Sequence, residues 1–207
     1  MARSKVKVIN KSLTKLSVDR ITSENEVNKR ATEAREAWDE ILEEVLGAFE
    51  WNFAARRQAL AAITTAPVFE YDYAYRLPTN PKCIKVRSLD EGRKWVVEGD
   101  DSGGLLLTNY TTAYIRYTAL VENPDLWSPW FTEVFATRLA AEICLALRNS
   151  RTLKESLLAE YDYKLDQAGV IDAQENGADW ANEERHPNSL DWVTIRHGGA
   201  GRIEGDV

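Results

Sequence analysis

The longest stripe of apolar residues in the chain lies in residues 23–49. Its members recur every three or four positions, the spacing that places side chains on one face of an α-helix: Val27, Ala31, Ala34, Trp38, Ile41, Leu42, Val45, Leu46 and Phe49. Ser23 followed by Glu26 has the pattern of a capping box, which predicts that this helix begins at Ser23. Charged residues occupy the opposite face. We therefore expect a long helix whose apolar side packs against other elements.

Two more helical stripes follow in the last third of the chain. The first lies in residues 129–148, with Asp125 or Ser128 as candidate N-caps. The second lies in residues 152–174, where Gly169 is a weak point. The spacing of Ile9, Leu13 and Leu16 also predicts one or two helical turns in residues 10–16.

Between the stripes, the pattern changes to period two. Residues 51–63 are compatible with a strand or a helix, and we favour extended structure. In the next segment every second residue is aromatic, which predicts one aromatic side of an extended segment: Phe69, Tyr71, Tyr73 and Tyr75. Four short strands are then predicted in residues 83–89, 94–98, 105–108 and 113–121, with a Gly-rich β-turn in residues 99–104. We expect these strands to form a small antiparallel meander.

These elements predict an α+β fold that is mainly α. It consists of a bundle of long helices, a small antiparallel β domain and an extended C-terminal tail. The predicted parts are an N-terminal leader (1–22), a helical body (23–66 and 125–175), the β domain (67–124) and an extended C-terminal arm (176–207). The arm is polar except around Trp180 and Trp192, so it is expected to need a groove to dock in.

Composition narrows the possible functions. The net charge of −7 argues against a protein that grips nucleic acid by neutralising phosphates. No apolar run approaches the roughly 20 residues of a membrane-spanning helix, so no membrane partner is expected. Cys83 and Cys144 are expected to be buried free thiols. The seven tryptophans fit a core or an interface, and composition alone favours the core.

The residues carry no convincing catalytic set. His186 and His197 lie in the polar tail and are expected to be solvated, and no motif for a cofactor or a metal is present, so we predict none. A carboxylate pair for sugar hydrolysis has four candidates, but a charged outer helix face explains them better: Glu40, Glu43, Glu44 and Glu50.

The basic pair Arg56-Arg57 has two readings, a salt bridge to a nearby helix and a phosphate contact. The salt bridge is favoured.

An ordered series of motifs resembles the head-to-tail adaptors of tailed bacteriophages, the group that includes tail tubular protein A and the head-completion proteins. The series spans about residues 9 to 175 and reads Leu13-x-x-Leu16, Val18-x-x-Ile21-x-Ser23, Ala31 and Ala34 within a helix, Trp51-Asn-Phe-Ala54, Arg57-x-x-Leu60, Tyr71-Asp-Tyr-Ala-Tyr75-x-Leu77-Pro78, Cys83-x-x-Val86, Trp95-x-Val97-Glu98-Gly99, Leu106-Leu107-Thr108, Ile115-x-Tyr117 and Phe131-x-x-x-Phe135-x-x-x-Leu139-Ala140.

The resemblance implies a structural role in the virion neck, with assembly in the host cytoplasm and no catalytic residues. Such adaptors form a ring, typically twelve-fold, between the portal protein and the tail nozzle or tube. Double-stranded DNA passes through the ring without sequence-specific binding. An acidic lumen would repel phosphate, and this is the expectation drawn from the negative net charge.

The predicted interface residues are large apolar side chains near the start of the helical stripe in residues 129–148 and in the tail: Trp127, Trp130, Trp180, Leu190, Trp192 and Ile195. Two alternatives stay open, a cell-wall-degrading tail enzyme that uses paired carboxylates and an interaction scaffold unrelated to phage.

Overall fold

The computed structural model of the chain describes residues 3–174, and the predicted C-terminal arm lies outside them. The described residues contain four helices: α1 (Lys5–Lys15), α2 (Lys29–Ala48), α3 (Pro129–Arg148) and α4 (Arg151–Gln174). They also contain six strands: β1 (Ala55–Ala59), β2 (Tyr73–Arg76), β3 (Cys83–Leu89), β4 (Val96–Asp100), β5 (Gly103–Thr108) and β6 (Tyr114–Ala119). Of the described residues, about 49% are helical and about 21% are in strands. The prediction of a helix bundle with a small β appendage is therefore wrong, and the fold is a mixed one.

The helical part is organised around α3 rather than around the long helix predicted at residues 23–49. α3 contacts each of the other three helices. Its sequence is apolar around most of its circumference, and eleven of its residues are buried. A helix that is hydrophobic on nearly all sides is stable only when it is surrounded. α1, α2 and α4 each supply a single apolar face to cover it.

Helix α2 begins six residues later than predicted. Glu26 does reach back, as a capping box requires, and its Oε1 accepts hydrogen bonds from the backbone N–H groups of Thr22 and Ser23. These contacts close a turn, however, and Asn28 is the true N-cap because its Oδ1 accepts from the backbone N–H of Ala31 at 2.9 Å. Val27 therefore lies outside the helix and is fully exposed.

The other helix predictions differ less from the structure. α1 starts earlier than predicted because Ser4 caps it. The predicted helices at residues 129–148 and 152–174 are confirmed, with Ser128 as the N-cap of α3 and Asn149 in the left-handed conformation at its end. No helix of the described region combines the length and the mean hydropathy that crossing a membrane requires.

The strands form two antiparallel sheets, not one meander. In sheet A the order is β1-β6-β3, and in sheet B it is β2-β5-β4. Only β4 and β5 form the predicted hairpin, with Asp100 opposite Gly103 across the expected turn. Of the extended structure favoured for residues 51–63, β1 confirms Ala55–Ala59, whereas Asn52–Ala54 form a short 3₁₀ helix. β1 pairs with β6, which is distant in sequence. Strand order thus depends on pairings between segments that sequence periodicity cannot connect.

A second hydrophobic core lies between the two sheets. Tyr75 and Leu106 from sheet B meet Val86, Ile115 and Tyr117 from sheet A. Tyr75 belongs to the predicted aromatic run, and its hydroxyl donates to the carbonyl of Tyr110 at 2.7 Å.

The rest of the aromatic run does not behave uniformly. β2 begins only at Tyr73, and Phe69 is 78% exposed.

Candidate interaction surface

The loop that leads into α3 places two tryptophans in opposite environments. Asn123 Oδ1 accepts from the backbone N–H of Asp125 at 3.0 Å, and Ser128 Oγ accepts from that of Phe131 at 3.1 Å. Both contacts are side-chain caps, so the loop and the first turn of α3 have a defined backbone course. Trp127 comes just before the cap and Trp130 just after it. The first ring is buried, whereas the second is 41% exposed.

Trp127 lies in the core of the subunit. Its indole stacks on Trp38, with ring centroids 5.8 Å apart and an interplanar angle of 20°. Phe131 and Phe135 approach it at centroid distances of 4.9 and 5.0 Å. The indole N–H donates to the carbonyl of Val121 at 2.7 Å, so the polar end of the ring is also satisfied. Of the predicted interface residues, Trp127 is thus one that supports the loop from beneath rather than one on the surface.

Trp130 and Leu126 form the exposed apolar part of this region. Trp130 is 41% exposed and Leu126 is 58% exposed. Beside Trp130 lies an open depression of about 380 Å³, lined by Arg3, Lys11, Pro129, Trp130, Thr132 and Glu133. We call this area the α3 entry surface. Exposed apolar side chains rimmed by charges are typical of protein–protein contact sites.

A chain of ion pairs fixes the charged rim of the α3 entry surface. Glu133 pairs with Lys11 of α1 and with Lys164 of α4, and Glu160 pairs with Lys15 and Lys164. Burial disfavours the ionised form of Glu133, but the hydrogen bonds and charges of Lys11 and Lys164 outweigh it and lower its pKa. The network therefore holds three helices in register and keeps the rim charged at neutral pH.

The N-terminal segment closes the other side of the same surface. The backbone N–H of Arg3 donates to Asp125, and its guanidinium donates to the carbonyl of Trp127. Arg3 thereby ties the start of the chain to the loop that carries both tryptophans. The α3 entry surface is built from the first residues of the chain and from residues about 125 positions later.

The remaining predicted interface residues, Trp180, Leu190, Trp192 and Ile195, lie outside the described residues. So do His186 and His197. Their roles stay predictions.

The candidate carboxylates for sugar hydrolysis serve as ion-pair partners or face solvent. Glu43 pairs with Lys82 at 2.6 Å, and Glu44 pairs with Arg138 of α3 at 2.7 Å. These contacts join α2 to two different neighbours. Glu40 and Glu50 are exposed. Within residues 3–174, no group of three or more His, Cys, Asp or Glu residues is placed to hold a metal ion.

The two cysteines are free thiols, as predicted. Cys144 is buried and Cys83 is half-buried, and burial raises the pKa of Cys83 to about 11. A thiol with so high a pKa is protonated at neutral pH and is a poor nucleophile.

The salt bridge favoured for Arg56-Arg57 is not formed within the described residues. Arg56 donates to the backbone carbonyls of Phe53 and Ala55, and Arg57 is exposed on β1 directly opposite Arg116 of β6. The sequence carries no local signal for the position of Arg116, because the pairing of β1 with β6 spans about 60 residues of chain.

Comparison of the chain with models of known protein families and with curated proteins gives no match.

Proposed function

We propose that the protein is a structural subunit of a tailed-bacteriophage virion, a head-to-tail adaptor. In this proposal, copies of the chain form a ring, typically twelve-fold, which joins the portal protein to the tail nozzle or tube. The ring surrounds part of the DNA conduit. The protein acts by binding and holding its neighbours and not by catalysis.

The α3 entry surface is the observation that carries this proposal. Leu126 and Trp130 are exposed, yet they sit on a loop and a first helical turn that are capped and supported by the buried Trp127. A rigid site that presents large apolar side chains loses little conformational entropy when a partner binds. Aromatic residues such as Trp130 are also typical anchors of protein interfaces.

The kind of partner follows from the resemblance and from the charge. The ordered motifs that resemble the phage adaptors run through both cores of the described region, from Leu13 in α1 to Ala140 in α3. The negative net charge suits a channel through which DNA moves without being trapped, since like charges repel. We assign the α3 entry surface to contact with the portal or the tail protein.

Co-assembly tests the proposal. The purified chain is mixed with candidate portal and tail proteins from the same source, and complexes are examined by electron microscopy and by native mass spectrometry. We expect a ring on the portal. Trp130→Ser should weaken binding at least about tenfold, a change equal to about 1.4 kcal/mol.

Leu145→Ser provides the matched control, because Leu145 lies on the same helix and is 40% exposed. It should bind like the wild type. A chain that forms no complex with either partner would contradict the proposal, and equal effects of the two substitutions would remove the α3 entry surface from it.

A further inference from the structure

Two arginines face each other across the β1–β6 pair of sheet A. Arg57 and Arg116 are register partners, so their side chains lie side by side on one face of the sheet. Like charges in directly opposite positions destabilise a sheet. Within residues 3–174, neither guanidinium forms an ion pair with a carboxylate. This face of sheet A therefore presents two positive charges without carboxylate partners, which a negatively charged partner can neutralise.

The same side of sheet A carries a third arginine and an exposed ring. Arg87 Nε donates to Thr118 Oγ1 at 2.9 Å, and Thr118 is two residues beyond Arg116 on β6. Glu50 and Asp172 act on Arg87 at the covered end of the sheet, and burial lowers the pKa of Arg87. At the open end, Tyr114 is 55% exposed. We call the open part, formed by Tyr114, Arg57 and Arg116, the arginine face.

The outer side of α4 has the complementary character. Asp162 and Asp166 are exposed, and within the described part of the chain neither forms an ion pair. Tyr163 is 66% exposed and Val170 is 58% exposed. We call these four residues the α4 outer face. It combines unpaired carboxylates with apolar contact area, and guanidinium groups match carboxylates in geometry as well as in charge.

One subunit does not bring its own two faces together. Asp172 lies on the inner side of α4, where its carboxylate accepts from the backbone N–H of Asn52 at 2.8 Å, close to sheet A. At about 100° per residue, the carboxylates Asp162 and Asp166 lie roughly 80° and 120° around the helix from Asp172. Val170 and Tyr163 lie roughly 160° and 180° from it. None of the four lies on the side of α4 that contacts Asn52, so a second copy of the chain can supply the missing partner.

We propose that the arginine face of one subunit binds the α4 outer face of the next subunit. The contact joins two different surfaces of the same chain, so it is heterologous, and such contacts build rings when the rotation closes. The inference rests on the proposed function only in taking the repeat to close into the adaptor ring. Pairing of opposite charges at this contact also explains how subunits of net charge −7 associate despite their overall repulsion.

Charge reversal tests the contact directly. Arg57→Glu/Arg116→Glu reverses the arginine face, and Asp162→Lys/Asp166→Lys reverses the α4 outer face. We expect each double variant to weaken self-association of the full chain at least about tenfold, measured by analytical ultracentrifugation and mass photometry. An equimolar mixture of the two variants should associate again, because each then offers the charge that the other lacks.

The matched control is Glu36→Lys/Glu40→Lys, which makes the same change of charge on exposed carboxylates of α2. It should associate like the wild type, and circular dichroism should show all variants folded. Failure of the mixture to recover would overturn the inference. The inference would also be overturned if the α2 control self-associated as weakly as the α4 variant, or if the wild-type chain did not self-associate.

Two further measurements distinguish this inference from DNA binding by the arginine face and from the proposed adaptor function. If wild-type protein binds duplex DNA and reversal of the arginine face abolishes that binding while self-association persists, the arginine face takes phosphate and the inference is overturned. Portal binding is measured on the same variants. If the mixture of the two variants recovers self-association but the chain does not bind the portal protein, only the proposed function is contradicted. A chain that binds the portal but tolerates both reversals contradicts only the inference.

Discussion

Replacing Trp127 by alanine should be among the most destabilising single changes in the protein. The side chain is 2% exposed, contacts Trp38, Phe131 and Phe135, and donates to the carbonyl of Val121. Removing a buried tryptophan side chain costs about 3 to 5 kcal/mol through lost burial and the cavity that remains. The unpaired carbonyl adds about 1 kcal/mol or more. We expect Trp127→Ala to lower the free energy of unfolding by about 4 to 6 kcal/mol.

Trp130→Ala is the matched comparison, since Trp130 is three residues away and 41% exposed. We expect it to lower the free energy of unfolding by only about 1 kcal/mol, because part of its ring is still covered by protein. Trp127→Phe should lower the free energy of unfolding by about 2 kcal/mol, between the other two variants, because it keeps a ring but leaves the Val121 carbonyl unpaired.

Urea titration followed by far-UV circular dichroism measures all three variants. With a denaturant slope of about 2 kcal/mol per molar, Trp127→Ala should shift the midpoint by about 2 M or more. The reasoning fails if Trp127→Ala costs less than about 2 kcal/mol, or if Trp130→Ala costs as much as Trp127→Ala does.

Two predictions concern the start of α2. Asn28→Ala should lower the free energy of unfolding by about 1 kcal/mol because it removes the true N-cap. Asn28→Ser should keep most of the wild-type stability, and Ser23→Ala should change the free energy of unfolding by less than about 0.5 kcal/mol. All three are measured by urea titration, and a larger effect at Ser23 than at Asn28 would contradict the observed helix start. Glu26 has a pKa of about 2, below its ordinary 4.5, because the Thr22 hydroxyl and the backbone N–H groups of Thr22 and Ser23 donate to its ionised form. A depressed carboxyl pKa stabilises the fold above the ordinary value, and this contribution is lost as the pH falls through about 2. Glu26→Gln should therefore flatten the fall of stability between pH 4.5 and 2 in thermal melts, and an unchanged slope would refute the assignment.

Local sequence pattern predicts most of the helix boundaries in this protein. The stripes at residues 129–148 and 152–174 predicted α3 and α4 almost to their ends, because Ser128 and Asn149 act through their own neighbouring backbone. The predicted start of α2 is wrong although its signals are also local. Ser23 with Glu26 and Asn28 with Ala31 are competing caps, and sequence alone does not rank them.

The strands show the opposite case. Period two placed β3, β5 and β6 correctly, but it carries no information about which strand pairs with which. β6 lies between β1 and β3, and the inner side of sheet A buries its Ile115 and Tyr117 against sheet B. The free energy gained from that burial arises only when segments distant in sequence pack together, so it leaves no local pattern in the sequence.

The amino-acid sequence by itself determined which segments are helical or extended, where most caps and turns lie, and that a large apolar surface has to be buried. Tertiary structure decided which elements surround α3, which of two nearby tryptophans is core and which is surface, and which charges remain unpaired. Trp127 and Trp130 are the same residue type in the same motif, and only the packing of α2 and α3 separates them. Arg57 and Arg116 meet only when β1 pairs with β6. Side-chain chemistry is local, whereas burial and strand register depend on contacts between residues distant in sequence.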